Sequence, residues 1–350
     1  MTTGATGGAI ARTAPPPDAA RGPDRRSTDL VLLGVLALLW GSSYPLIKVA
    51  VSEIPPLTLV AFRVLVASAV LLVVVTARRA RLPNDLASWR QLGCQAVLNS
   101  IGAWTVLAWG QKHVDSALAA VLNSTAPIFV FLITSAGAAS DRPPRSALAG
   151  AGLGVAGVAC IVGTPSIASD PLYLAGAAAV LFGAVLYAGA AIYGRRFAHQ
   201  DALVTATGTM LWASACLVPA ALLLERPWSL RPSIAAIAAA TVLSVACTGL
   251  ALVIYFRLLK RLGPLATSSQ AYLRAGVGAL IGVFVLGERL SAWTTAGVVL
   301  TVLGVVVINA PGLRSSRRGR SRAPELPGRG RGGRRSPLPR RRASVGGFRR

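Results

Sequence analysis

Acidic residues are scarce in this chain: twelve Asp and Glu stand against thirty-six Lys and Arg over 350 residues. None of them falls in the middle of a long apolar run. Asp115, Asp141, Asp170, Asp201, Glu225 and Glu288 all lie at loops or run ends. This argues against cation transport through a buried carboxylate shared with a proton. Histidine is rarer, with only His113 and His199, both beside run ends. The four cysteines, Cys94, Cys160, Cys216 and Cys247, form no CxxC pair and read as small buried hydrophobes inside apolar runs. No metal site is visible and no cofactor is expected. No GxxxxGK[ST] loop, HExxH helix or nucleophile–His–acid set occurs, so neither ATP hydrolysis nor another enzymatic activity is expected.

What the chain has in quantity is apolar sequence. It is 53% hydrophobic and 14% charged, with a mean hydropathy of +0.59. A soluble domain is about 45–50% apolar and about 25% charged, so both departures point to a membrane. Ten runs approach the ~20 residues that a span requires. They cover roughly 29–49, 57–76, 91–110, 117–138, 147–163, 172–194, 202–224, 234–256, 265–286 and 292–309. Residues 1–28 read as a disordered tail. Residues 311–350 carry fourteen Arg against one acid, Glu325, and read as a second disordered tail. Such a tail either holds anionic lipid headgroups or stays solvated and reinforces orientation. The high charge is mostly this tail's, so nucleic-acid binding is not expected.

One offset, 147 residues without gaps, relates residues 31–163 to 178–310. It places Trp40 on Tyr187, Lys48 on Arg195, Gly102 on Gly249, and Asp141-Arg142 on Glu288-Arg289. Gly150 falls on Gly297, Gly157 on Gly304, and Asn123 on Gln270. The expected domains are therefore two five-helix repeats, 29–163 and 172–310. Five is odd, so the second repeat crosses the membrane in the opposite sense to the first. With both termini inside, inner loops hold eleven Lys and Arg and outer loops four, which is the positive-inside pattern.

Leu39-Trp40-Gly41-Ser42-Ser43 followed by Lys48 resembles the first helix of EamA-type members of the drug/metabolite transporter superfamily. Pro55-Pro56-Leu57-Thr58 with Arg63 resembles their second-helix entry. Leu286-Gly287-Glu288-Arg289-Leu290-Ser291, then Gly297 and Gly304, resembles the end of their second repeat. The likeness covers about 30–310. It implies an all-α polytopic membrane protein, with ten transmembrane helices as two inverted five-helix repeats. It also implies export or exchange of small metabolites, often amino acids. The chain departs from the family where Tyr272-Leu273-Arg274-Ala275 stands in place of the usual Pro, which the first repeat keeps as Pro127.

The candidate substrate-binding residues are Trp40, Ser43, Tyr44, Arg63, Asn99, Trp104, Asn123, Tyr187, Gln270, Tyr272 and Arg274. Arg274, about ten residues into its run, is either a counter-charge for a substrate carboxylate or a structural contact. Arg63 either does the same or snorkels along its span, as do Lys48 and Arg195. Asn99, Asn123 and Gln270 either bond substrate or join helices. The deep aromatics wall a pocket or pack helices. The expected function is secondary-active or facilitative transport of small metabolites, amino acids or related compounds, by alternating access. The alternatives are a drug or cation exporter and a non-transporting membrane scaffold. The expected location is the inner or plasma membrane, with both termini cytoplasmic. The oligomeric state is left open.

Overall fold

The computed structural model describes residues 23–137, 145–162, 170–197, 199–255, 257–258, 261, 270–288 and 291–321. Residues 1–22, most of the Arg-rich tail, Asp141-Arg142 and Arg289 lie outside the described residues, as do the side chains of Gln270 and Tyr272.

Among the described residues the helices follow one another as ten spans. The first joins α1 (Pro23–Gly41) to α2 (Ser43–Val51), and the second is α3 (Pro56–Ala77). The third runs through α4 (Leu86–Ala96), a π-helical segment (Val97–Ala103) and α5 (Trp104–His113). The fourth joins α6 (Ser116–Asn123) to α7 (Ala126–Gly137), and the fifth is α8 (Arg145–Val162). The sixth and seventh are α9 (Pro171–Tyr193) and α10 (Ala202–Leu224). The eighth is α11 (Ile234–Ser244), continued by a second π segment (Val245–Leu250). The last two are α12 (Gln270–Val285) and α13 (Ala292–Ser321). Among the described residues, six stretches are long and apolar enough to cross a membrane by composition, and three shorter apolar helices accompany them. The third span is not among them, because its first part, α4, carries Trp89, Arg90, Gln91 and Gln95 and is not apolar enough.

Local chemistry fixes the ends. Pro55 caps α3 and Pro56 opens it, where a missing N–H costs nothing. Asp85, Asp170, Asp201 and Ser233 each accept a backbone N–H at the start of α4, α9, α10 and α11. The breaks inside spans are equally local. Pro45 lacks the N–H that would reach Gly41, and Ser42 and Ser43 both donate their hydroxyls to the Leu39 carbonyl at 3.1 Å. Ahead of Pro127, Ser124 and Thr125 donate to Val121 and Leu122 at 2.6 Å.

Packing follows the duplication. α1 packs on α12, and its counterpart α9 packs on α7; α5 packs on α9, and its counterpart, 251–255 and 257–258 in the eighth span, packs on α1, where Ala251, Ile254 and Leu258 cluster with Leu36. α3 lies along α10, its own copy, where Ser68 and Ser214 hydroxyls meet at 2.9 Å. α8 and α13 touch backbone to backbone. A methyl group on Gly157 would meet the Gly297 carbonyl oxygen at 2.7 Å, and one on Gly304 would meet that of Gly150 at 2.5 Å. Under the offset of 147, Gly150 matches Gly297 and Gly157 matches Gly304. Each pair therefore exchanges partners across a pseudo-two-fold axis, and the repeats are inverted. The cysteines depart from the expected burial: Cys94 and Cys216 are exposed on the outer surface of the bundle, and only Cys247 is buried. An apolar run does not say which helix face meets protein and which meets lipid.

Candidate functional site

The two π segments occupy matched places, since Val97–Ala103 shifted by 147 falls on 244–250. A π turn carries one extra residue, so it re-aims side chains and frees backbone groups, commonly at functional sites. Each holds a glycine under crowding. A methyl on Gly102 would lie 2.6 Å from the Val97 oxygen, and one on Gly249 would lie 3.0 Å from Val70.

Between these segments lies a cavity of about 850 Å³. Trp40, Ser43, Tyr44, Arg63, Asn99, Trp104, Tyr187 and Arg274 line it. Trp40 rests on Tyr255, ring centroids 5.4 Å apart. Tyr44 is held by Asn123, whose amide donates to the Tyr44 hydroxyl at 2.7 Å. Asn123 thus stands behind the wall rather than on it. Asn99 donates to Ser100 Oγ at 3.1 Å.

Arg63 is the centre of the polar wall. It is 7% exposed, and its guanidinium carbon lies 3.9 Å from the centroid of the Trp104 ring. Its Nε donates to Thr248 Oγ1 at 2.8 Å. Thr248 in turn donates to the Leu243 carbonyl at 2.8 Å, a bond made possible by the π turn. Arg63 therefore turns inward instead of snorkelling. No described carboxylate pairs with it, or with Arg274. Tyr187 stands within electrostatic reach of both guanidinium groups. Lys48 is held elsewhere, donating to the carbonyls of Gln111 and Val114, at 3.1 and 2.7 Å, at the end of α5. A cation there offsets the negative end of a helix. Arg195 is exposed and lies at the cavity rim with Gln200.

Thr248, Cys247, Met210 and Tyr255 also reach the cavity and escaped the sequence reading. The matched pair Gly102 and Gly249 marked both π segments and was the available signal for Cys247 and Thr248. Met210 is the offset counterpart of Arg63, so the same place is charged in one repeat and apolar in the other.

Successive spans alternate in direction, so residues 52–55, 114–115, 225–233 and 286–288 share one end of the bundle. There the cavity is shut. Glu225 accepts from the backbone N–H groups of Leu57 and Thr58 at 3.2 and 2.6 Å. Glu288 accepts from those of Ser116 and Ala117 at 2.7 and 2.8 Å. Glu53 accepts from Ser233 N–H and Oγ at 2.6 and 2.7 Å. Each contact joins one repeat to the other. The Glu53 carboxyl is held below its ordinary value by these Ser233 bonds, and Asp85, in a loop at the other end, is lowered by the N–H of Ser88. The cavity instead reaches the surface beside Gly194, Arg195 and Gln200.

An inverted-repeat bundle with broken spans around a one-sided central cavity defines a class, the multi-pass membrane transporters. The chain belongs to the EamA-like transporter family, whose model matches it twice, at residues 28–163 and 174–310. It is similar to the uncharacterized inner membrane transporter YedA of Escherichia coli (strain K12), 26% identical, with 79% of this chain and 89% of that protein covered. It is also similar to a probable amino-acid metabolite efflux pump of Salmonella typhimurium, 28% identical, covering 82% and 97%. A solved crystal structure shares the fold with a TM-score of 0.59 at 21% identity, covering 83% of this chain and 99% of that one.

Proposed function

We propose that the protein exports or exchanges small carboxylate-bearing metabolites, amino acids or related compounds, by rocking its two repeats about the central cavity. One observation carries this reading: Arg63 is buried on the cavity wall, oriented by Thr248 and Trp104, and lacks a described carboxylate partner. An ion at membrane depth costs at least about 2.5 kcal/mol. A substrate carboxylate in the cavity offsets that cost, with Arg274 as a second contact. Trp40, Tyr44 and Trp104 supply apolar wall, with Asn123 holding Tyr44 in place. Gln270 and Tyr272 remain substrate-binding candidates by position in α12.

The Lys/Arg bias supports a cytoplasmic mouth, because the loops beside 194–200 belong to the basic set. Both termini are then cytoplasmic. Substrate loads from inside, and the glutamate contacts hold the outer end shut until it does. The name of the amino-acid metabolite efflux pump agrees with that direction. A cation exporter fits poorly, since no acidic residue lines the cavity among the described residues.

The test is counterflow in proteoliposomes loaded with one carboxylate metabolite and given its labelled form outside. Exchange that Arg63→Gln abolishes in a protein of normal melting temperature supports the reading. Exchange unaffected by Arg63→Gln refutes the assignment of Arg63.

A further inference from the structure

We infer that the cavity selects organic anions that carry a carboxylate and no ammonium group, such as 2-oxo acids, over zwitterionic amino acids of the same side chain. This rests on the transport reading above and narrows its substrate class.

The inference comes from the sign of every charge on the wall. The ionised residues lining the cavity are Arg63, Arg195 and Arg274, and no Asp, Glu or His lines it among the described residues. Asp201 lies in sequence between the rim residues Gln200 and Ala202, yet its Oδ1 accepts from Leu203 N–H at 2.9 Å, at the start of its own helix. Buried Asp29 is paired with Arg261 at 3.1 Å. Neither carboxylate lines the cavity. An amino acid's carboxylate finds Arg63 with ease, whereas its ammonium finds only neutral partners. Asn99, Gln95 and Gln200 offer amide oxygens, Ser43 and Thr209 offer hydroxyls, and Trp40, Tyr44 and Tyr187 offer rings, all of them uncharged. The Trp104 face is already covered by the Arg63 guanidinium at 3.9 Å. The ammonium also meets like charge from the guanidinium groups on the wall. A 2-oxo acid keeps the carboxylate and replaces the ammonium with an oxygen that accepts hydrogen bonds. The guanidinium Nη atoms of Arg63, which make no bond to a described residue, are donors suited to a carboxylate and the oxygen beside it. The apolar body of the substrate has its own wall, since Leu107, Met210 and Leu252 line the same cavity.

The experiment uses the full chain in proteoliposomes at pH 7 and two matched series. One is phenylalanine, phenylpyruvate and phenethylamine; the other is leucine, 4-methyl-2-oxopentanoate and isopentylamine. Within a series the side chain is constant and only the charge at the head changes. Each compound competes for counterflow of the labelled 2-oxo acid and of the labelled amino acid. The expected result is half-inhibition by the 2-oxo acid at a concentration at least tenfold below that of the amino acid, and none by the amine. Arg274→Gln, at a half-exposed position, should shrink that ratio below threefold. Arg63→Gln, checked by melting temperature, should abolish counterflow of both labelled carboxylates. An amino acid that competes as well as its 2-oxo acid overturns the inference and leaves the transport reading standing. Exchange of no carboxylate by folded, inserted protein overturns both, as does preferred exchange of the amines. A ratio that survives Arg274→Gln unchanged also overturns the inference, because the selectivity then has another source.

Discussion

Glu225 Oε2 accepts from both the backbone N–H of Thr58, at 2.6 Å, and its hydroxyl, at 2.7 Å. The carboxylate ends α10 in the second repeat and caps α3 in the first. Glu288 does the same for α6, and Glu53 for α11 through Ser233. Three helix N-termini at one end of the bundle are thus capped from the opposite repeat. A side-chain cap contributes about 0.5–2 kcal/mol, and a negative charge there also meets the positive end of the helix. These caps cannot persist if the repeats rock apart at this end, so they stabilise the state seen here against its alternative.

The double variant Glu225→Ala, Glu288→Ala should therefore favour opening at this end. Cysteine placed at Ile47, which is 3% exposed and lines the cavity, reports it in a background with the four native cysteines replaced. Labelling by an impermeant thiol reagent from the Glu225 side is expected to rise several-fold. Unchanged labelling would show that other contacts keep this end closed.

The Glu53 bond makes a pH prediction with a definite sign. Its carboxyl sits below the ordinary 4.5 because Ser233 N–H and Oγ bond the charged form. A carboxyl lowered on folding adds stability above its unfolded value, and that stability is lost as pH falls through the folded value. The melting temperature of the native protein should exceed that of Glu53→Gln near pH 6. The gap should close as pH drops from about 4.5 downward. A gap that stays constant to pH 3 would remove the charged Glu53 bond as its cause.

How much was legible in the sequence depends on where each partner lies. The ten spans, the duplication and the inward aromatics Trp40 and Tyr187 followed from runs and one offset. The orientation of Arg63 did not, because its partner Thr248 is 185 positions away in the other repeat. Lys48 shared the same first reading and took a different role, because the end of α5 lies beside it. Neither π segment has a sequence pattern of its own. Only the matched glycines betrayed them, and a glycine alone does not say what crowds it. The glutamates read as loop residues, since their donors are backbone N–H groups that no side-chain pattern reveals.

The glycines of α8 separate crowding from propensity. Gly157→Ala places a methyl 2.7 Å from the Gly297 oxygen and must push α8 from α13. Overpacking of this kind costs about 1–3 kcal/mol. Gly152 has nothing within 4 Å of the same added atom. There the alanine only gains helix propensity, about 0.5–1 kcal/mol. The melting temperature in detergent should fall for the first variant and hold or rise for the second. Equal shifts would contradict the close approach of the two helices.

The Arg63 group yields the sharpest separation of binding from folding. Thr248 accepts from Arg63 Nε and donates to Leu243, so Thr248→Val removes the orienting bond and keeps the shape of the side chain. One such bond to a charged group is worth about 1.5–3 kcal/mol, or roughly 10- to 150-fold in affinity. The low end is expected, because the Trp104 face still holds the guanidinium flat. Thr248→Ser should restore most of the affinity, as it returns the hydroxyl. Trp104→Leu removes the ring under the cation, a contact worth about 0.5–2 kcal/mol, and should weaken binding again. Arg63→Lys should recover little, since an ammonium has no planar fork for a carboxylate. The readout is KM in counterflow beside the melting temperature of each variant. A raised KM with an unchanged melting temperature places the group in substrate binding. A lowered melting temperature with an unchanged KM would make Arg63 a structural cation, and the carboxylate would then have to be met by Arg274 alone.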